Sequence, residues 1–276
     1  MSSNTSPQRG PEFSNQAKRR SRILFSRKDD WEPHIRARLK KFDADFADFS
    51  DSFLPFNDYD GVLPLTLDAA AHLRSLMQQG HQVRCLLPRE ETISLCNDKV
   101  AFNRFLLAGG FGAHVPDLGA GVCFPYVLKR PIDEWGQSTV LIQDVEDEEK
   151  YSASLKPEAH FKQAYIRGNR EYACHLLVVG GRITFARTIE FGFSKDHFVF
   201  GKWAEPDTLK EINHSHFYPL FSAILEQLGY QGFCCFDYKL DAEGQPKIFE
   251  LNPRVGGSLR HFINNALNAY LMGIKT

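Results

Sequence analysis

The sequence predicts a mixed α/β protein in which a strand-and-helix lobe precedes a region of antiparallel hairpins. Three observations carry that prediction. Residues 59–65 form a short apolar run ending in a turn, 67–79 repeat apolar residues at helical spacing before Gly80, and 81–87 are again apolar, which together describe a small β/α unit. Residues 175–187 are two apolar runs about Gly180-Gly181, a hairpin pattern. Residues 233–240 and 246–251 flank the turn-forming stretch 241–245, which describes a second hairpin centred near Glu243 and Gly244.

Composition narrows the class without choosing a function. With 276 residues, 43% hydrophobic and 24% charged, the chain can bury one large core or two to three modest lobes. A net charge of −1 argues against general nucleic-acid binding. No apolar run reaches the roughly 18 residues needed to span a bilayer, and no signal-peptide core stands near the start, so a cytoplasmic location is the expectation. Six cysteines without C-x-x-C spacing read as reduced, mostly buried thiols.

Taken in order, residues 1–21 are polar and then basic, and read as a disordered tail. Residues 22–26 read as a strand and 31–42 as a helix. With the β/α unit they make a small lobe over 22–95. Asn97 or Asp98 is placed to cap a helix carrying Phe102, Phe105 and Leu106 on one face, with Lys99 in its first turn. By itself that lysine reads as solvated. Residues 124–129 read as a strand ending at Lys129, followed by a polar loop, 133–139, with a single glycine, Gly136. Residues 209–228 read as helical, which turns His214 and His216 apart and sets zinc aside.

The second hairpin carries the chemistry. Reflection about its turn puts Asp237 opposite Glu250, and strand alternation puts Asn252 on the same face, with Phe236, Tyr238, Phe249 and Leu251 on the other. Facing carboxylates repel unless a cation lies between them. Two carboxylates and an amide oxygen suit magnesium, which keeps its remaining positions for phosphate and water. The alternative is an exposed hairpin whose acids pair with Lys239 or Arg254. The chain leaves this strand through Pro253 and two glycines, a tight loop, with Arg254 able to hold a phosphoryl group in two places at once.

The acid pair thirteen positions apart, followed by Glu-Leu-Asn-Pro-Arg and Gly-Gly-Ser, resembles the metal and phosphate end of the ATP-grasp superfamily of ligases. That resemblance implies an ATP-grasp fold over 96–276, two α+β subdomains gripping ATP behind a small α/β lobe. It implies magnesium, with manganese as the alternative ion, on Asp237, Glu250 and Asn252, and Arg254 on the transferred phosphoryl group. It implies phosphate contacts for Lys99 and Lys129, with Gly136 and Ser138 as weaker candidates in the loop between. Residues 161–171 resemble the hinge that holds adenosine. There Gln163 would take the exocyclic amine, Ala164 to Ile166 the adenine edge, and Glu171 the ribose hydroxyls, although one extra residue separates Gln163 from Glu171.

The activity so implied is an ADP-forming ligase that joins a small carboxylate to an amine, amino acids being the expected size class. A nucleotide-binding protein without ligation, or a ligase using ammonia or a thiol, are the competing readings. Ser258, Arg260 and His261 are candidates to meet a substrate carboxylate. No nucleic-acid or membrane partner is expected, and the oligomeric state is left open, a dimer being compatible.

Overall fold

A computed structural model describes residues 19–51, 53–133, 138–152, 159–196 and 205–275. Most of the expected tail and Gly136 lie outside the described residues.

The first lobe is a parallel sheet of three strands, β1 (Ser21–Ser26), β2 (Phe42–Ala47) and β3 (Gly61–Leu63), in the order β2-β1-β3. Ile23, Leu24 and Phe25 are all buried, as expected of a central parallel strand covered on both faces. Helix α1 (Glu32–Arg38) is shorter than the expected 31–42 because Leu39 turns extended and Phe42 enters the ladder opposite Ser21. The alternation Phe42, Ala44, Phe46 is the strand signal that the helical reading ran through. Helix α2 (Leu67–Gln78) starts at Thr66, whose side chain accepts from Ala69 N, and gives way to Gly80 at φ +94°. The expected strand at 81–87 does not form a ladder. That segment runs beside β3, joined to it by Val62 N donating to Arg84 O.

Two helices lead to the second region, α3 (Glu90–Asn97) and α4 (Lys99–Ala108). Asp98 caps α4 by accepting from Val100 N and Ala101 N. A small antiparallel sheet follows, β4 (Tyr126–Lys129) between β5 (Val140–Ile142) and β6 (Phe161–Ala164), with α5 (Val145–Ser152) crossing from β5 to β6.

The largest sheet is antiparallel: β7 (Arg170–Val179), β8 (Arg182–Gly192), β9 (Thr208–Ile212), β10 (Gly232–Leu240) and β11 (Pro246–Asn252), in the order β11-β10-β7-β8-β9. Both expected hairpins are present. The expected helix at 209–228 is corrected: β8 offers an open edge that residues 208–212 satisfy as a strand, and α6 (Tyr218–Gln227) begins only where Pro219 fits its first turn. His214 Nδ1 lies 2.6 Å from Tyr238 Oη, so that ring belongs to an aromatic cluster with Tyr172 and Phe217.

One face of this sheet buries Cys174, Leu176, Phe236 and Tyr238 against Phe102 and Leu106 of α4 and Phe221 and Ile224 of α6. The other face meets α7 (Ile263–Ile274) and the first lobe in one continuous core that includes Phe25, Leu177, Phe233 and Tyr270. Tyr270 Oη donates to Val62 O and accepts from Leu86 N, so the last helix holds the first lobe in register. The six cysteines are free thiols, four of them buried. No helix among the described residues is long and apolar enough to cross a membrane.

Candidate active site

Asp237 and Glu250 are direct cross-strand partners, with Asn252 opposite Cys235 on the same face. The pairing depends on a feature that simple alternation leaves out. Counting up from the turn, the ladder runs Leu240↔Pro246, Lys239↔Lys247 and Tyr238↔Ile248, a register that would set Asp237 against Phe249. A β-bulge takes up Phe249 as an extra residue and brings Glu250 opposite Asp237. The bulge also re-aims the ring. Phe249, expected on the apolar face, instead lies under Lys129, whose Nζ is 4.7 Å from the ring centroid.

The acids are tightly networked. Asn252 Nδ2 donates to Asp237 Oδ2 at 2.8 Å and to Glu250 Oε1 at 3.2 Å. Lys99 Nζ lies 3.1 Å from Glu250 Oε2 and donates to Asp133 O. Of the two pairings raised for Glu250 by the exposed-hairpin reading, neither Lys239 nor Arg254 is its ion-pair partner; Lys99 is. Lys99, Asp133, Glu250, Asn252 and Arg254 line one cavity at the mouth of the hairpin. Arg254 is half-buried there and donates to Val255 O.

Electrostatics divide the pair. Burial, then the charges of Glu250 and Glu171, push the Asp237 carboxyl well above its ordinary range. Burial also acts against Glu250 ionising, but Lys99 and Lys129 outweigh it and bring that group down to about 2. Two facing carboxyls pushed in opposite directions compete for the positive charge available to them, and their oxygens, joined by an amide, match the preferences of a hard divalent ion. Asn252 would have to present its oxygen, which a side-chain flip provides. Among the described residues no group of three His, Cys, Asp or Glu is gathered for a metal, so the fit is to an ion that shares its shell with phosphate and water rather than to a closed protein cage.

Burial lowers the Lys129 ammonium, against the pull of Glu250, Glu171 and Asp237. Burial raises Glu171 to about 7, with Lys239 and Lys129 opposing. Glu171 therefore belongs to this charge cluster through β7, one strand from β10. On β6, Gln163 is fully buried; its Nε2 reaches Asn103 Oδ1 at 3.5 Å, and its Oε1 has no partner. An orphaned buried acceptor fits a ligand amine. Ala164 N donates to Asp117 O. Ile166 O and Gly168 O accept from Lys239 Nζ at 3.2 and 3.0 Å, and this lysine also lies over the Tyr165 ring.

In the sequence Lys239 stood only as a possible partner of the acids and Phe249 only as an apolar-face residue, and Asn103 was not singled out. Strand alternation from Asp237 could have found Lys239, two residues on, whereas Asn103, which donates to Lys99 O and Phe249 O, shows nothing in sequence to mark it. Ser138 reaches the site only through its backbone, its N donating to Oδ2 of Asp133, while His261 is exposed beyond the glycine turn.

No protein-family model matches the chain, and no curated protein matches it in sequence. Solved structures do match in fold. An L-amino acid ligase from Bacillus licheniformis is 19% identical with a TM-score of 0.60, over 94% of this chain and 75% of that one. An N5-carboxyaminoimidazole synthetase from Staphylococcus aureus, complexed with ADP, is 13% identical with a TM-score of 0.67, over 92% and 77%. A D-alanine–D-alanine ligase from Bacillus anthracis is 14% identical with a TM-score of 0.61, over 92% and 97%. The chain has the ATP-grasp fold, as the resemblance in its sequence implied.

Proposed function

We propose that this ATP-grasp chain is an ADP-forming ligase that activates a small carboxylate as an acyl phosphate and joins it to an amine. The observation that carries the reading is the bonded cluster of Asp237, Asn252, Glu250 and Lys99 beside a cavity that Arg254 also lines. The ligases of the same fold support it as neighbours, acting on small molecules by their names.

In this reading Gln163 Oε1 accepts the adenine amine, and the backbone of Ala164 and Ile166 meets the adenine edge. Lys239 fixes the carbonyls that shape that hinge. Glu171 accepts from ribose, and Lys99 and Lys129 bind phosphate oxygens. Asp237, Glu250 and Asn252 would hold magnesium, or manganese in its place, which would supply positive charge against that of the phosphates. Arg254 stabilises the phosphoryl group as it passes to the carboxylate oxygen, releasing ADP. The neutral amine then attacks the acyl carbon and phosphate leaves, a step that needs exclusion of water more than a strong base.

The test is ADP formation from MgATP across pairs of amino acids and small acids, with Glu250→Gln as control. The parent should turn over with at least one pair, and the variant should lose roughly a hundredfold or more in kcat, the scale of a lost charge-stabilising group. Equal turnover by the variant would overturn the magnesium assignment.

A further inference from the structure

On the strand next to the acid pair, His175 of β7 is fully buried, and its cross-strand neighbour on β10 is Cys235, itself opposite Asn252. His175 Nε2 lies 2.6 Å from Ser258 Oγ, in the turn that follows Arg254, and its Nδ1 is buried without a partner. Gly256 packs directly on the ring. A Cβ at that position would fall 2.5 Å from His175 Cε1 and 2.8 Å from Nδ1, while the backbone there is ordinary, so the glycine is required by the ring and not by its own conformation.

This contact decides the proton. A hydrogen on Nδ1 would be a buried N–H with no acceptor, whereas a bare lone pair in the same place is the less costly orphan. The ring proton therefore belongs on Nε2, where it donates to Ser258 Oγ. An oxygen that is already accepting from the histidine turns its own hydrogen away from the ring, and Ser258, only partly buried, leaves that hydrogen free for an acceptor outside this pair. Burial, reinforced by the nearby His261, pushes the imidazole down to about 3, so it stays neutral at working pH and does not act as a base toward the serine.

We propose that His175 is a positioning residue that locks the Ser258 hydroxyl as a hydrogen-bond donor to an anionic oxygen of the carboxylate substrate. The proposal rests on the ligase reading for its ligand, and on geometry alone for its tautomer.

The two parts are tested separately in the full chain. Long-range proton–nitrogen NMR of 15N-labelled protein, with the His175 signals identified by their loss in His175→Gln, should show a protonated Nε2 and a bare Nδ1, unchanged from about pH 5.5 to about 8.5. A protonated Nδ1, or titration in that window, overturns the proposal. With an equimolar pool of the twenty amino acids as probe, Ser258→Ala should raise the apparent KM for the pool by roughly ten- to a hundredfold, the scale of a hydrogen bond to a charged group. Its MgADP affinity by calorimetry should stay within about twofold. Ser258→Thr and His175→Gln, which keep a hydroxyl and an N–H donor, should recover most of the loss, and His175→Leu should not. An unchanged KM in Ser258→Ala overturns the proposal with the ligase reading intact. If the parent binds no MgADP and releases none from MgATP, the ligase reading fails, and the tautomer result alone decides the His175–Ser258 arrangement.

Discussion

Glu171 shows how much one half-buried acid can govern. Burial raises it from 4.5 to about 7, so the folded protein holds a proton there that the unfolded chain has released. A folded pKa above the unfolded one stabilises fully below about pH 4.5, and that stabilisation is lost as pH rises toward 7. Asp237, also raised, adds to the same slope, while Glu250, lowered to about 2, acts oppositely in the more acid range. His175, lowered from 6.5 to about 3, acts oppositely over much of the same window, so the test is a difference: between pH 4.5 and 7 the urea-unfolding midpoint of Glu171→Gln should gain on that of the parent as pH rises. An unchanged slope in the variant would show that Glu171 does not carry the proton.

The hairpin and the helix opposite it set the site at the next level. Without the bulge at Phe249, Glu250 would face away from Asp237 and the acid pair would not exist. Helix α4 brings Lys99 to that pair from outside the sheet, and its entry is fixed by the Asp98 cap. Asp98→Ala should lower stability by about 1 kcal/mol in denaturant unfolding. It should also weaken MgADP binding in calorimetry, though less than Lys99→Ala does, because the cap only aims the lysine. Binding unaffected by either change would detach α4 from the nucleotide.

Across the whole molecule, α7 joins what the sequence presents as two lobes. Tyr270 satisfies Val62 O and Leu86 N of the first lobe from within a core shared with the large sheet. Tyr270→Phe removes the hydroxyl partner of a buried Val62 O and a part-buried Leu86 N, and should cost about 1–3 kcal/mol. The loss should appear as one unfolding transition at lower denaturant, seen alike by tryptophan fluorescence and by circular dichroism. Two separated transitions would mean that the lobes do not share their stability.

Local pattern was enough to mark both hairpins, the extent of α2 up to Gly80 and a cap for α4 at Asn97 or Asp98, since alternation, capping and turn chemistry act over a few residues; reflection about the turn also set Asp237 against Glu250, but the bulge that makes them face was not legible. Contacts distant in sequence decided the rest. Residues 208–212 became a strand because β8 had an open edge, Phe249 turned toward Lys129 because of a bulge, and Lys99 found Glu250 across 151 positions. Gly256 shows the division most plainly. Its place in a tight loop was legible, but its need for an absent side chain comes from His175, eighty-one residues earlier, which only folding brings against it.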